Sequence, residues 1–136
     1  MSANQNLCNV SATTLTRLIR TKKASAEDVI TAHIERVTEV NPRLNAVVQL
    51  CLERALDEAR AADTQLASGT STGPLHGVPF TIKDSFGTEG VISTGGTKGR
   101  TAFVPSEDAT VVGRLRAAGG ILLGKTNTSE LTMAFE

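Results

Sequence analysis

The chain has 136 residues and a formal net charge of zero, 14 basic residues balancing 14 acidic ones, which is enough for one modest domain with a real core. Its four aromatic residues are all Phe and no basic stripe runs along it, so it lacks the charge that neutralises phosphates and the rings that stack on bases, and this argues against nucleic acid as a partner. No apolar run approaches the roughly 18 residues of a membrane span, and the start Met1-Ser2-Ala3-Asn4-Gln5-Asn6 has neither the basic nor the apolar region of a secretory leader, so a cytoplasmic protein is expected.

Leu15, Leu18 and Ile19 recur at helical spacing ahead of Lys22-Lys23-Ala24. Ser25-Ala26-Glu27-Asp28 then has the form of a capping box and opens a second helix. Ile30, Ile34 and Val37 line one side of it, and Asn41-Pro42 is expected to end it. Leu52, Leu56 and Ala59 mark a third helix, expected from about Val47 to Ala67. These helices read as scaffold, and His33, near the apolar stripe of the second, reads as a structural histidine. Cys8 and Cys51 lack CxxC spacing and a nearby His/Cys cluster, so no zinc site is expected and both read as small, partly buried hydrophobes.

A Gly/Ser/Thr linker from Ser68 to Gly73 separates this helical half, residues 1–68, from an α/β half, residues 74–136. Val78–Lys83 alternates as a strand, with Val78, Phe80 and Ile82 on one side and Pro79, Thr81 and Lys83 on the other. Parallel sheets are covered on both sides, so Lys83 is expected to be partly buried, at the carboxyl end of its strand where open α/β sheets place ligands. A Gly-rich loop follows, and Ser106 or Asp108 is expected to cap a helix carrying Val111, Val112 and Leu115 that stops at Gly119-Gly120. Ile121-Leu122-Leu123 reads as a buried strand, giving a parallel βαβ unit, and Ser129 to Glu136 opens a further element.

Several motifs compete for function. Gly119 to Thr126 matches the phosphate-loop pattern GxxxxGK(S/T) formally, but Ile121-Leu122-Leu123 inside it favours a strand ladder over a phosphate cradle. Nucleotide binding through 119–126 is therefore a weak reading, and Lys125 reads as a solvated lysine at a strand end. His76 reads as a hydrogen-bonding turn residue rather than a base. Asp84 either orients and charge-balances Lys83 or caps a turn. The hydroxyls of Ser93-Thr94-Gly95-Gly96-Thr97 fit a site or a plain loop equally well. Taken alone, Lys83 is either a snorkelling strand-end lysine or a catalytic one.

From about Ser11 onward the chain resembles the amino-terminal part of the amidase signature family of amide hydrolases. The matching segments are Ser25-Ala26-Glu27-Asp28, Asn41-Pro42-Arg43-Leu44-Asn45-Ala46, Ala55 to Asp63, Gly73 to Asp84, and Gly124-Lys125-Thr126-Asn127 with Glu130. The run Pro74-Leu75-His76-Gly77-Val78-Pro79 with Lys83-Asp84 is the specific part. The resemblance implies an α/β fold in which amino-terminal helices precede a mixed, mainly parallel sheet, here only begun, within a single amidase-like domain. It implies that Lys83 is the counterpart of the lysine in a Ser–cis-Ser–Lys triad, where its amine form, favoured by burial, takes a proton through the bridging serine from the nucleophilic serine. It calls for no cofactor and no metal, takes a small-molecule amide as substrate, and allows a homodimer or an amidotransferase-type complex. The Gly/Ser-rich signature that carries both serines has no match here; Ser85, Ser93, Ser106 and Ser129 lack that setting. The chain alone is accordingly expected to be inactive and marginally stable, either as the first part of an amidase or as a short non-catalytic protein that folds with a partner.

Overall fold

The computed structural model describes residues 7–70 and 73–134. Helix α1 (Ala12–Arg20) forms where the apolar spacing places it: Ser11 caps it by accepting from the Thr14 N–H, and Leu15 and Ile19 bury its inner face. Helix α2 (Ala26–Leu44) opens with the expected capping box, in which the Ser25 hydroxyl accepts from the Asp28 N–H at 2.9 Å and the Asp28 carboxylate from the Ser25 N–H at 3.0 Å. Asp63, across the core, satisfies the next two orphan donors, the Ala26 and Glu27 N–H groups, at 2.7 and 3.0 Å. The bond from the Ser25 backbone N–H holds the Asp28 carboxyl below its ordinary range. That stabilisation is present above the unfolded carboxyl value and is lost as pH falls through the depressed folded one. Ser25→Ala is expected to cost about 1 kcal/mol in urea denaturation at neutral pH, with a smaller difference from wild type once Asp28 is protonated.

Two boundaries differ from the sequence reading. Helix α2 runs through Asn41-Pro42 to Leu44. Pro42 forfeits one backbone bond in the last turn, and its ring crowds the carbonyl four residues back. Asn41 compensates, its side chain accepting from the Val47 N–H and donating to the Val47 carbonyl, both at 2.9 Å. Asn45, in the left-handed region at φ 49°, then ends the helix. The second difference is that Val47–Leu50 is a strand, β1, and helix α3 starts only at Leu52, running to Ala67. Two adjacent β-branched residues favour extended backbone, but the partner that fixes it is the far end of the chain. The expected Ser68 to Gly73 linker lies partly outside the described residues, at 71–72.

Strand β2 (Pro79–Lys83), helix α4 (Thr110–Ala117) and strand β3 (Ile121–Thr126) form the parallel βαβ unit the sequence predicts. The sheet order is β1-β3-β2, with β1 antiparallel and β2 parallel to the central β3, so the α/β fold with a mixed sheet stands and the two halves of the chain share one sheet. Neither Ser106 nor Asp108 caps α4. Ala109 is the N-cap residue, while Asp108 accepts from the Glu89 N–H at 2.8 Å and pairs with Arg116 at 3.2 Å. The helix ends as expected: Gly119, at φ +92°, donates to the Arg116 carbonyl and Gly120 to that of Leu115, the two bonds of a Schellman turn.

Side chains alternate across β3. Ile121 and Leu123 join Ile19, Ile30, Ala55, Ala59 and Val78 in one apolar cluster, and Leu122 joins Ile82 and Val112 in a second, with Cys51 and Phe80 against it. Gly124 sits where β1 crosses closest: a Cβ there would stand 2.3 Å from the Gln49 carbonyl oxygen and 2.8 Å from Val47 Cγ1. Gly124→Ala is therefore expected to push β1 off β3 and destabilise the chain by about 1–3 kcal/mol, measured as a lowered urea midpoint. His33 keeps its structural role, half-buried with Nδ1 at 2.8 Å from the Val29 carbonyl. Cys8 and Cys51 are free and partly buried, as expected. The further element expected from Ser129 is a single 3₁₀ turn at Glu130–Thr132; Phe135 and Glu136 lie outside the described residues. No helix among the described residues is long and apolar enough to cross a membrane.

Candidate active site

The carboxyl ends of β2 and β3 lie side by side, Lys83 opposite Thr126, and the Asp84 N–H donates to the Thr126 carbonyl at 2.9 Å. Between Phe80 and Thr81 the register slips, so that Phe80 faces Leu122 while Thr81 faces Gly124. This bulge adds one residue to β3 and takes Lys125 out of phase with Leu123, setting it opposite Ile82. Lys125 is consequently not the solvated strand-end lysine expected from sequence. It is fully buried, at 0% exposure.

The Lys125 ammonium donates to the Phe86 carbonyl at 2.6 Å and to Ser93 Oγ at 2.7 Å, with Asp84 Oδ1 3.6 Å away. Asp84 is itself buried and accepts from both the N–H and the hydroxyl of Thr94. Ser93 Oγ in turn donates to the Val91 carbonyl. Burial lowers the proton affinity of Lys125, and the Asp84 carboxylate opposes that shift. The hydroxyls of Ser93 and Thr94 thus belong to a closed buried network rather than to a plain loop. Asp84, expected beside Lys83, takes Lys125 as its partner instead.

Lys83 is exposed, which corrects the expectation of partial burial. Helices α1–α3 pack over the central β3, but β2 is the outer strand, and Thr81 and Lys83 on its far side are uncovered by the described residues. Among the described residues the Lys83 ammonium meets no acceptor. His76 is not brought to this end of the sheet; it is buried, with Nε2 3.0 Å from the Ala62 carbonyl in α3.

The phosphate-loop reading of 119–126 fails on geometry. Gly119-Gly120 close a helix instead of opening one, Ile121–Thr126 is a paired strand, and the lysine that would reach a phosphate is buried against Phe86 and Ser93. Sequence reasoning missed Lys125. The available signal was its continuation of an apolar strand, since a lysine that follows Ile-Leu-Leu-Gly inside the ladder inherits the burial of its neighbours.

The chain is similar to known proteins over most of its length. The Amidase family profile matches residues 28–136. The chain is 42% identical over 128 residues to a glutamyl-tRNA(Gln) amidotransferase subunit of Salinispora arenicola, covering 94% of this chain and 26% of that protein. It is 43% identical over 126 residues to an acylamidase of Rhodococcus erythropolis, covering 93% and 26%. The peptide amidase of Stenotrophomonas maltophilia superposes with a TM-score of 0.86 at 32% identity, over 93% of this chain and 26% of that one. The chain spans about a quarter of the length of the curated relatives it matches.

Proposed function

This chain belongs to the Amidase family, and we propose that it forms the amino-terminal part of an amide hydrolase in which Lys83 is the lysine of a Ser–cis-Ser–Lys triad. The observation that carries the reading is the contrast between the two lysines at this end of the sheet. Lys125 is enclosed with Asp84 and Ser93, whereas Lys83 stands free at the carboxyl end of β2, where such sheets bind ligands. Both serines come from segments beyond residue 136 in the full-length protein.

There the segments that follow residue 136 would have to cover Lys83, since burial is what favours its amine; that amine takes a proton through the bridging serine as the nucleophilic serine oxygen bonds to the carboxamide carbon. The tetrahedral intermediate collapses with rupture of the C–N bond, and the departing nitrogen recovers the proton along the same relay. Water then attacks the acyl-enzyme in the second half, releasing the acid and restoring the serine. The chemistry uses no metal and no cofactor. The substrate is a small carboxamide, and the amidotransferases among the chain's relatives favour an amidotransferase-type complex over a homodimer.

The short non-catalytic reading predicts a different gene product. A native protein several times heavier than 14.3 kDa that releases ammonia or amine from carboxamides is the expected result. A native species at 14.3 kDa without turnover would overturn the hydrolase reading.

A further inference from the structure

Lys83 and Asp84 are adjacent in sequence, and an aspartate beside an exposed lysine is its natural counter-ion. Such a pair would hold the lysine as an ammonium and spoil it as a proton acceptor. The fold prevents this. The Asp84 carboxylate turns inward, where Thr94 donates to it through both N–H and hydroxyl and the Lys125 ammonium lies 3.6 Å away.

We propose that Lys125 is a positioning residue for Lys83: it sequesters the Asp84 carboxylate beneath the sheet end and, through Phe86 and Ser93, fixes the turn that presents Lys83. This inference rests on the hydrolase reading above.

Three observations carry it. First, Lys125 reaches three points of the segment that follows Lys83, namely Asp84, the Phe86 carbonyl and Ser93, and so ties residues 84–93 to the end of β3. Second, the same segment is tied from its backbone, by Asp84 N–H to Thr126, Gly95 N–H to the Asp84 carbonyl and Phe86 N–H to the Lys83 carbonyl. Third, Lys125 is held by burial and hydrogen bonds, so it has no freedom to act on substrate itself. The other charged or titratable groups that act on it are Cys51, at the start of α3, and Arg100, in the short 3₁₀ turn Lys98–Arg100. With Asp84 neutralised by an internal cation, Lys83 is left without a carboxylate beside it.

The test is the pH dependence of kcat in the full-length protein for Lys125→Met, Asp84→Asn and the double variant. Lys125→Met frees Asp84 toward Lys83, so kcat should fall about 10²-fold, the loss typical of a misplaced catalytic group. KM should change little, and the acid limb of the profile should move to higher pH. Adding Asp84→Asn should return the limb to its wild-type position, because the freed carboxylate is gone. Asp84→Asn alone keeps a side chain of the same shape for Thr94 and should leave the limb in place. A limb that shifts to lower pH in Asp84→Asn means that Asp84 already pairs with Lys83 and overturns the inference, even if Lys125→Met fails to fold. An unshifted limb in a folded Lys125→Met overturns it as well. Lys83→Ala separates the two claims: if it leaves turnover intact the triad assignment of Lys83 fails, and if it abolishes turnover while Lys125→Met changes nothing only the sequestration fails.

Discussion

Lys83→Ala in the full-length protein is expected to lower kcat for carboxamide hydrolysis on the order of 10⁴-fold, with KM little changed. The size follows from the role: members of a nucleophile–base unit act together, and loss of one removes most of the benefit of the rest. The structure adds the reason that no other group substitutes. The second lysine at this end of the sheet is buried and already donates to Phe86 and Ser93, and His76 lies against α3 instead of at the strand ends. Lys83→Arg should be nearly as inactive, because a guanidinium stays protonated and cannot accept the proton. A parallel thermal melt of each variant checks that the loss is chemical.

Lys125→Met is expected to destabilise the chain by about 3–5 kcal/mol, the cost of removing one partner of a buried ion pair and stranding the other. Asp84 would keep only the Thr94 donors where it lies, and would escape that cost only by turning out toward Lys83. Combining the substitution with Asp84→Asn should recover most of that loss, since a neutral pair of similar volume leaves no orphan charge. Urea denaturation of the two single variants and the double forms the cycle that isolates the interaction. pH gives a second signature. The folded-state proton affinity of Lys125 lies below its unfolded value near 10.5, chiefly through burial. Between the depressed folded value and the unfolded one, the unfolded chain binds more protons, so Lys125 contributes a stability that rises with pH. That rise should be absent in Lys125→Met.

Local patterns carried much of this architecture. The capping box at Ser25 and the Gly119-Gly120 stop were legible because their physics acts within a few residues. The strand at Val47–Leu50 was not, because its partner β3 lies at the other end of the chain and the Ala-rich helix that follows masks a four-residue extended segment. The extension of α2 past Pro42 was hidden for a similar reason, since Asn41 offsets the proline only by bonding to Val47 in the folded chain.

At the site, the strand ending in Lys83-Asp84 was readable as a place for chemistry, but its electrostatics were not. The bulge opposite Phe80 and Thr81 decides that Lys125 turns inward and that Asp84 follows it, and nothing in the alternation of β3 announces a bulge. Burial of Lys83 was inferred from the rule that parallel sheets are covered on both sides. The rule fails at an outer strand, and β2 is outer among the described residues.

The most direct test of the account is intact-mass analysis of the full-length protein quenched during reaction with an activated acyl ester, for wild type and for Lys83→Ala. The account predicts a covalent acyl adduct that accumulates in wild type and forms far more slowly in the variant, both proteins being folded. An adduct that forms equally fast without Lys83, or carboxamide turnover with no adduct at any quench time, would contradict it.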